Sequence, residues 1–227
     1  MTRPDVVIAG GGVIGLAIAW RCATAGLAVT VCDEAPGRGA SWAAAGMLAP
    51  VGEVHFGEEA LLALNLESAR RWPGFAAELE AATGLAVGLR TDGALAVAYD
   101  LDDLRALESL ADFQQELGLT VERLRGPACR ELEPALHPRV RGGVLVAGDH
   151  QVDNRRLVVA LERAVADAGV DAVAAPVTEV VVAGGRVGGV QLAGGDEIAT
   201  ANVVLAVGCR SGDVVVAGMK PDRKSVV

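Results

Sequence analysis

Residues 5–34 read DVVIAGGGVIGLAIAWRCATAGLAVTVCDE, and this stretch decides the fold. It opens with DVVIA, a short apolar run rich in β-branched residues, which is typical of a buried parallel strand. A glycine turn follows, then a helical segment that Gly26 ends. LAVTVCDE is a second buried strand, and it finishes in two acids. The whole stretch has the length of a βαβ unit, about 30 residues.

Three glycines between the first strand and the helix form the pattern G-x-G-x-x-G. Gly10 permits the tight turn, and Gly12 lets the backbone approach a pyrophosphate because no Cβ intervenes. Gly15 lets the helix pack closely against the strand. The phosphates would then lie at the helix N-terminus, where free N–H groups and the helix dipole favour anions. The pattern therefore predicts a dinucleotide site.

An acidic pair ends the second strand. Asp33 follows Gly15 by 18 positions (33 − 15), where a carboxylate accepts hydrogen bonds from a ribose diol. The same charge disfavours a 2′-phosphate, so NADP is a poor candidate. Glu34 is adjacent and could share the adenosine contact. These residues alone do not distinguish NAD from FAD.

The next loop, residues 37–50, reads GRGASWAAAGMLAP and is unusually rich in small side chains. It should return across the carboxyl ends of the strands, where such sheets bind ligands. Small residues there would let the backbone lie against a large planar ring, which a flavin requires more than a nicotinamide does. The alternative is a hydrophobic helix start packed in a core.

The pattern after this loop predicts a second domain inserted into the first. Residues 58–72 are amphipathic and helical, and Pro73 should kink or stop that helix before it resumes to Gly84. A hairpin or bent strand is expected about Asp92–Gly93, then another helix over 101–118. From residue 151 a helix returns that begins at Asp153 or Asn154, and short strands with Gly-Gly turns follow it. The segment closes with a buried strand, NVVLAVG. We expect the dinucleotide domain at 1–50 and 149–221, and the inserted α+β domain at 51–148.

Composition excludes several classes of protein. The chain is 52% hydrophobic and 22% charged, as in a well-buried α/β protein. Its formal net charge of -9 argues against a nucleic-acid partner, and no basic run indicates a membrane surface. The four cysteines form no C-x-x-C pair, so we expect no metal site and a reducing compartment. The apolar run 6–19 is too short to span a membrane, which favours a cytoplasmic protein.

Three segments resemble the FAD-dependent D-amino acid oxidase superfamily, and within it the glycine oxidase type. They are the βαβ stretch, the loop at 37–50, and GDHQVDNRRLVVAL at 148–161. The loop is the most specific of the three. The resemblance implies FAD as cofactor and a Rossmann-type FAD-binding domain interrupted by an α+β substrate domain. It extends to about Gly218.

The resemblance also implies which positions contact FAD. At the pyrophosphate it implies Gly10, Gly12, Val13, Ile14 and Gly15, and at the ribose Asp33 and Glu34. Ala40 and Ser41 would contact the cofactor next along the chain, and Ala45, Gly46 and Met47 would lie against the isoalloxazine. Val177 would meet the adenine through its backbone, and Ala206 and Gly208 would contact the flavin at a later strand end. The last segment, AVGCRSG, has Arg210 where the family commonly has Trp.

Enzymes of this type pass a hydride from the α-carbon of an amine to the flavin, and molecular oxygen then gives hydrogen peroxide. The resemblance places the reaction in thiamine biosynthesis and implies a substrate-clamping Arg beyond residue 227, so no catalytic residue is assigned. Arg90, Arg141 and the three histidines are poor candidates. The substrate could instead be a D-amino acid or sarcosine, and the protein could be a quinone-coupled dehydrogenase. The chain could also be a non-catalytic nucleotide-binding fragment. The full-length parent could be a homo-oligomer.

The end of the chain differs from the rest. Of the 20 basic residues only Lys220 and Lys224 are lysines, and both lie in the last eight positions. Residues 222–227, DRKSVV, match the translation of a common sequencing adapter. We therefore expect a truncated fragment with an artefactual tail at 222–227, weakly folded and inactive by itself.

Overall fold

The computed structural model describes residues 3–217. The helices are α1 (Val13–Thr24), α2 (Ala40–Ala43), α3 (Glu59–Thr83), α4 (Leu101–Glu116), α5 (Gly126–Leu132) and α6 (Asn154–Asp167), and a 3₁₀-helix covers Gly208–Asp213. The strands are β1 (Val6–Ala9), β2 (Val29–Cys32), β3 (Met47–Leu48), β4 (Ala94–Ala98), β5 (Glu122–Arg125), β6 (Gly142–Val146), β7 (His150–Gln151), β8 (Asp171–Val173), β9 (Val177–Ala183), β10 (Arg186–Leu192), β11 (Glu197–Ala199), β12 (Val203–Leu205) and β13 (Val215–Val216). The tail expected at 222–227 lies outside the described residues.

Two compact units make up the described chain. The first unit combines residues 3–45, 79–87 and 154–217. The second unit combines Gly46–Glu78 and Gly88–Asp153. The first unit is therefore discontinuous in sequence.

A parallel sheet with the strand order β12-β1-β2-β8 forms the centre of the first unit. Ala9 is in register with both Leu205 and Cys32, so β1, β2 and β12 end at the same edge. All four residues of β1 are buried, as its continuous apolar sequence predicts. Helix α1 connects β1 to β2 and packs against α6. The fold predicted from residues 5–34 is confirmed.

A second sheet, ordered β11-β10-β9-β13, packs on one face of the parallel sheet. Val7, Ala9 and Cys32 share a hydrophobic core with residues of β9 and β10. Because side chains alternate along a strand, Val6 and Ile8 point to the opposite face. The parallel sheet is thus covered on both sides, which positions its carboxyl edge as the free edge for a ligand.

The second unit contains an antiparallel sheet with the order β4-β6-β5, against which α4 and α5 pack. A two-stranded ribbon, β3-β7, belongs to the same unit. Asp100 caps α4 through its side chain, which accepts hydrogen bonds from the N–H groups of Asp102 and Asp103.

The structure decides between two pairs of alternatives and corrects one prediction. Helix α3 continues past Pro73, so the proline does not stop it, and both Leu62 before the proline and Ala76 after it are buried. Asp92–Gly93 form a bend between the bridge at Arg90 and β4, as in a bent strand, and β4 pairs with β6. The prediction of a buried last strand is wrong. Strand β12 is only half-buried, because it lies at the edge of the parallel sheet.

Candidate functional site

The glycine turn at the end of β1 has no room for side chains. Gly10 has a φ of 102°, which favours glycine, and a Cβ there would overlap the carbonyl oxygen of Ala206. A Cβ at Gly15 would overlap the carbonyl oxygen of Gly10. Gly10 thus lets the turn approach the segment after β12, and Gly15 lets α1 pack against the turn. Both glycines are required by close approach of the backbone.

Helix α1 directs its N-terminal N–H groups toward the carboxyl edge of the sheet. Gly12 is the N-cap, and the Val13 N–H donates to the Ser41 hydroxyl at 3.0 Å. The first turn carries no acidic side chain that would compete with an anion. Ile14, also in this turn, is 66% exposed, which suits a residue that a bound ligand covers. The helix end can bind a phosphate, and Ser41 is placed beside it.

Asp33 is held by the backbone at the end of β2. Its Oδ2 accepts a hydrogen bond from the Gly11 N–H at 2.7 Å, and its Oδ1 accepts one from the Ala35 N–H at 2.7 Å. Each carboxylate oxygen has a second lone pair, so both remain able to accept from hydroxyl groups. The carboxylate is therefore fixed in orientation and suited to a ribose diol.

Glu34 has a different partner. Arg210 Nη1 lies 2.6 Å from Glu34 Oε1. Glu34 thus contacts the segment that follows β12, a contact that sequence analysis missed because 176 residues separate the pair.

The alanine-rich loop contains the short helix α2, which sequence analysis did not predict. Asn154 anchors it: its Nδ2 donates to the carbonyl oxygens of Ser41 at 2.9 Å and of Trp42 at 3.0 Å. The Cζ atom of Arg38 lies over the Trp42 ring, 4.1 Å from the centroid of the ring. We expected Asn154 only as part of the start of α6, whereas its side chain fixes the loop.

The residues after α2 leave an apolar, small-residue surface. Ala43, Ala44 and Ala45 are all exposed. Exposed alanines in a loop held by Asn154 offer backbone and methyl groups to a flat ligand, as the sequence predicts. The cofactor contacts of Ala40 and Ala45 stay predictions.

Gly46 and Met47 belong to the second unit. Met47 is paired with Gln151 in the β3-β7 ribbon, and the Val152 N–H donates to the Gly46 carbonyl at 2.8 Å. The Met47 side chain is 59% exposed. Their predicted contacts with the isoalloxazine also stay predictions.

A buried carboxylate, absent from the predicted site, fixes the chain that follows β3. Asp149 is fully buried and accepts hydrogen bonds from the N–H groups of Val51 at 3.1 Å and Gly52 at 2.7 Å. Burial raises the pKa of Asp149, and the two N–H donors oppose that shift. The next residue, His150, has a buried Nδ1 that forms no hydrogen bond. Only a three-dimensional structure reveals this clamp, since about 97 residues separate the partners.

The other predicted positions lie in the first unit. Val177 is buried in the core shared by the two sheets, so only its backbone is available for a ligand. The Ala206 N–H donates to the Ala9 carbonyl at 2.8 Å, which places Ala206 beside the glycine turn. Gly208 begins the 3₁₀-helix with a φ of 59°.

The poor catalytic candidates have ordinary surroundings. Arg90 forms an exposed ion pair with Asp92 at 2.8 Å, and His137 Nδ1 accepts a hydrogen bond from the Arg139 N–H. Residues 3–217 contain no group of three or more His, Cys, Asp or Glu side chains that could hold a metal ion. No helix in that part of the chain is both long and apolar enough to cross a membrane.

Fold and site together define a dinucleotide-binding protein of the Rossmann type. The glycine turn, the free end of α1 and the fixed Asp33 carboxylate fit the pyrophosphate and ribose of such a cofactor. The profile of the FAD dependent oxidoreductase family, DAO, matches residues 5–227. The chain belongs to this family, and the cofactor of the family is FAD. The predicted fold class and cofactor are confirmed.

Curated relatives include two glycine oxidases. That of Geobacillus kaustophilus is 36% identical over 169 residues, covering 74% of this chain and 45% of the relative. That of Pseudomonas putida is 33% identical over 221 residues, covering 93% of this chain and 57% of the relative. The chain therefore spans about half the length of these relatives.

Solved structures agree with the fold. The crystal structure of glycine oxidase from Geobacillus kaustophilus superposes with a TM-score of 0.86 at 32% identity, covering 94% of this chain and 57% of that one. Glycine oxidase from Bacillus cereus gives a TM-score of 0.81 at 30% identity, covering 90% and 55%.

Proposed function

We propose that the protein to which this chain belongs oxidises glycine, or a related small amine or D-amino acid, with FAD as the immediate electron acceptor. One observation carries the proposal: the backbone-fixed glycine turn and the part of the alanine-rich loop that Asn154 clamps, residues 37–45, occur together in the first unit. The relatives named glycine oxidase support the substrate class.

The residues of this chain bind and orient the cofactor in this proposal. The α1 N-terminus and Ser41 hold the pyrophosphate, and Asp33 accepts hydrogen bonds from the ribose. The backbone around Ala45 would lie against the ring and keep water from one of its faces. When bound, FAD supplies a hydride acceptor that molecular oxygen regenerates, with release of hydrogen peroxide. The family resemblance implies that an arginine outside residues 1–227 would clamp the substrate carboxylate.

The proposed place of the reaction is the synthesis of the thiamine thiazole. Relatives named bifunctional protein ThiO/ThiG support it, among them that of Trichormus variabilis, which is 36% identical over 172 residues and of which the chain covers 26%. All four cysteines, which lie in the described part of the chain, are free, which suits the reducing cytoplasm in which we place the protein.

A secondary amine is the main alternative substrate. One component of the opine oxidase of Agrobacterium tumefaciens is 32% identical over 170 residues, so this fold also serves a protein with another name and substrate. The alternative leaves the cofactor contacts unchanged and alters only which amine is oxidised.

The test is a peroxide assay on the complete protein with glycine, sarcosine and D-alanine as separate substrates. Oxidation of glycine by oxygen and water should give one glyoxylate, one ammonia and one hydrogen peroxide. Equal amounts of glyoxylate and peroxide from glycine support the proposal. If the protein turns over sarcosine or D-alanine and not glycine, the assignment of glycine as substrate is wrong. If it reduces a quinone and releases no peroxide, the assignment of oxygen as acceptor is wrong.

A further inference from the structure

The ion pair between Glu34 and Arg210 crosses the candidate site. Arg210 Nη1 and Glu34 Oε1 are 2.6 Å apart, although 176 residues separate them in sequence. Both side chains are about half exposed. Exposed ion pairs contribute little to stability, so stability alone does not account for this contact.

The sheet topology fixes where the pair lies. Strand β1 is the neighbour of both β12 and β2, and the three strands end in register. Glu34 follows β2 and Arg210 follows β12. A direct contact between them must therefore pass over the end of β1, where the glycine turn begins. The pair spans the edge to which the α1 N-terminus presents its free N–H groups.

The acidic charges at this edge mean that a cation beside them would favour the binding of a pyrophosphate. Asp33 and Glu34 bring two negative charges to the edge, and the whole chain has a formal net charge of -9. The hydrogen bond and charge of Glu34, with the further charge of Asp33, raise the pKa of Arg210. The guanidinium is thus positive at neutral pH.

The guanidinium also has unused hydrogen-bonding capacity. An Arg side chain carries five N–H donors in a planar fork, and among residues 3–217 the guanidinium forms one hydrogen bond, from Nη1 to Glu34. A fork of this kind binds phosphate oxygens through two parallel hydrogen bonds. Glu34 holds the fork over the glycine turn with the remaining donors free to meet an anion.

We propose that Arg210 binds the pyrophosphate of the dinucleotide and that Glu34 is its positioning residue instead of a direct ribose ligand. The inference rests on the cofactor binding that the proposed function requires. It assigns to Arg210 a contact that the Trp common at this position in the family would not make, because an indole has a single N–H donor and no charge.

Adenosine diphosphate and adenosine test the inference, since only the first carries the pyrophosphate. Calorimetric titrations of the complete protein, freed of FAD, should show that Arg210→Gln weakens adenosine diphosphate by about tenfold, the loss of one charge-assisted hydrogen bond. Adenosine affinity should stay within about twofold. Arg210→Lys should recover only part of the loss, because an ammonium lacks the planar fork. Glu34→Gln should weaken the affinity for adenosine diphosphate less than Arg210→Gln does. When both substitutions are combined, the affinity should equal that of Arg210→Gln alone.

Arg163→Gln is the matched control, since it breaks another exposed Arg–carboxylate pair, with Asp167 on α6. It should change neither affinity. Equal losses for adenosine and adenosine diphosphate in Arg210→Gln, or no loss for either, would overturn the role of Arg210. Loss of adenosine affinity in Glu34→Gln would make Glu34 a ribose ligand after all.

Flavin fluorescence separates this inference from the proposed function. If the unaltered protein binds FAD and Arg210→Gln binds it equally well, only the inference fails. If the folded, unaltered protein binds neither FAD nor adenosine diphosphate, both fail.

Discussion

Replacing Asn154 tests whether the alanine-rich loop must be held in place for the cofactor to bind. Asn154→Ala removes two hydrogen bonds, to the carbonyl oxygens of Ser41 and Trp42. Each such bond contributes about 0.5–1.5 kcal/mol, so the two together contribute about 1–3 kcal/mol. Alanine in the first turn of α6 returns up to about 0.7 kcal/mol through its helix propensity. We expect a net loss of about 0.3–3 kcal/mol in the free energy of unfolding, with the upper value reached if alanine contributes nothing through helix propensity.

The loss should appear in cofactor binding as well as in stability. A loop freed from Asn154 must be ordered again when FAD binds, and a cost of about 1.4 kcal/mol corresponds to a tenfold weaker affinity. Fluorescence titration with FAD gives the affinity, and urea denaturation gives the free energy of unfolding.

Asn202→Ala is the matched control. Asn202 Nδ2 donates to the Asp5 carbonyl at 2.9 Å, at the opposite edge of the same sheet. This variant should lose stability and keep its FAD affinity. The reasoning is refuted if Asn154→Ala loses stability to a similar extent and still binds FAD as tightly as the unaltered chain.

Three further substitutions have defined outcomes. Gly15→Ala should cost about 1–3 kcal/mol in the free energy of unfolding, because its Cβ overlaps the Gly10 carbonyl, and should abolish FAD binding. A thermal melt and a titration with FAD check this, and an unchanged melting temperature would contradict it. Ala45→Leu should prevent FAD retention while circular dichroism shows unchanged helix content, and normal flavin content would refute the placement of the loop. Asp149→Asn should flatten the dependence of stability on pH. The raised pKa of Asp149 means that the folded state binds the proton more tightly than the unfolded state does. This carboxyl therefore stabilises the fold below the ordinary Asp pKa of about 3.9 and loses that contribution as pH rises through the raised pKa. Equal slopes of unfolding free energy against pH for both proteins, measured by urea denaturation, would contradict this.

The sequence predicts the parts of the site that are local in the chain. The glycine turn, α1 and the acid after β2 follow from residues that are close in sequence, and the pattern of hydrophobic residues is enough to order them. A helix that continues through Pro73 was not predictable, because its persistence depends on the burial of Leu62 and Ala76. Local preference there is overcome by packing.

Contacts between distant segments could not be predicted. Asn154 reaches a loop more than 100 residues earlier, and its position at the start of α6 suggested no more than a role in beginning the helix. Arg210 was noted only as a departure from the family pattern, and its partner Glu34 was assigned to the ribose. Such side chains act on backbone or charge that only the folded sheet brings near.

The most direct test of the account is a titration of the purified complete protein, freed of its cofactor, with FAD. Circular dichroism would first confirm that the protein is folded. The account predicts saturable binding, quenching of flavin fluorescence, and a protein-bound flavin absorption band at about 450 nm. It also predicts that Gly15→Ala abolishes this binding. A folded protein that binds no FAD, or that binds it equally well without Gly15, would contradict the claim that the glycine turn and the loop form a flavin site.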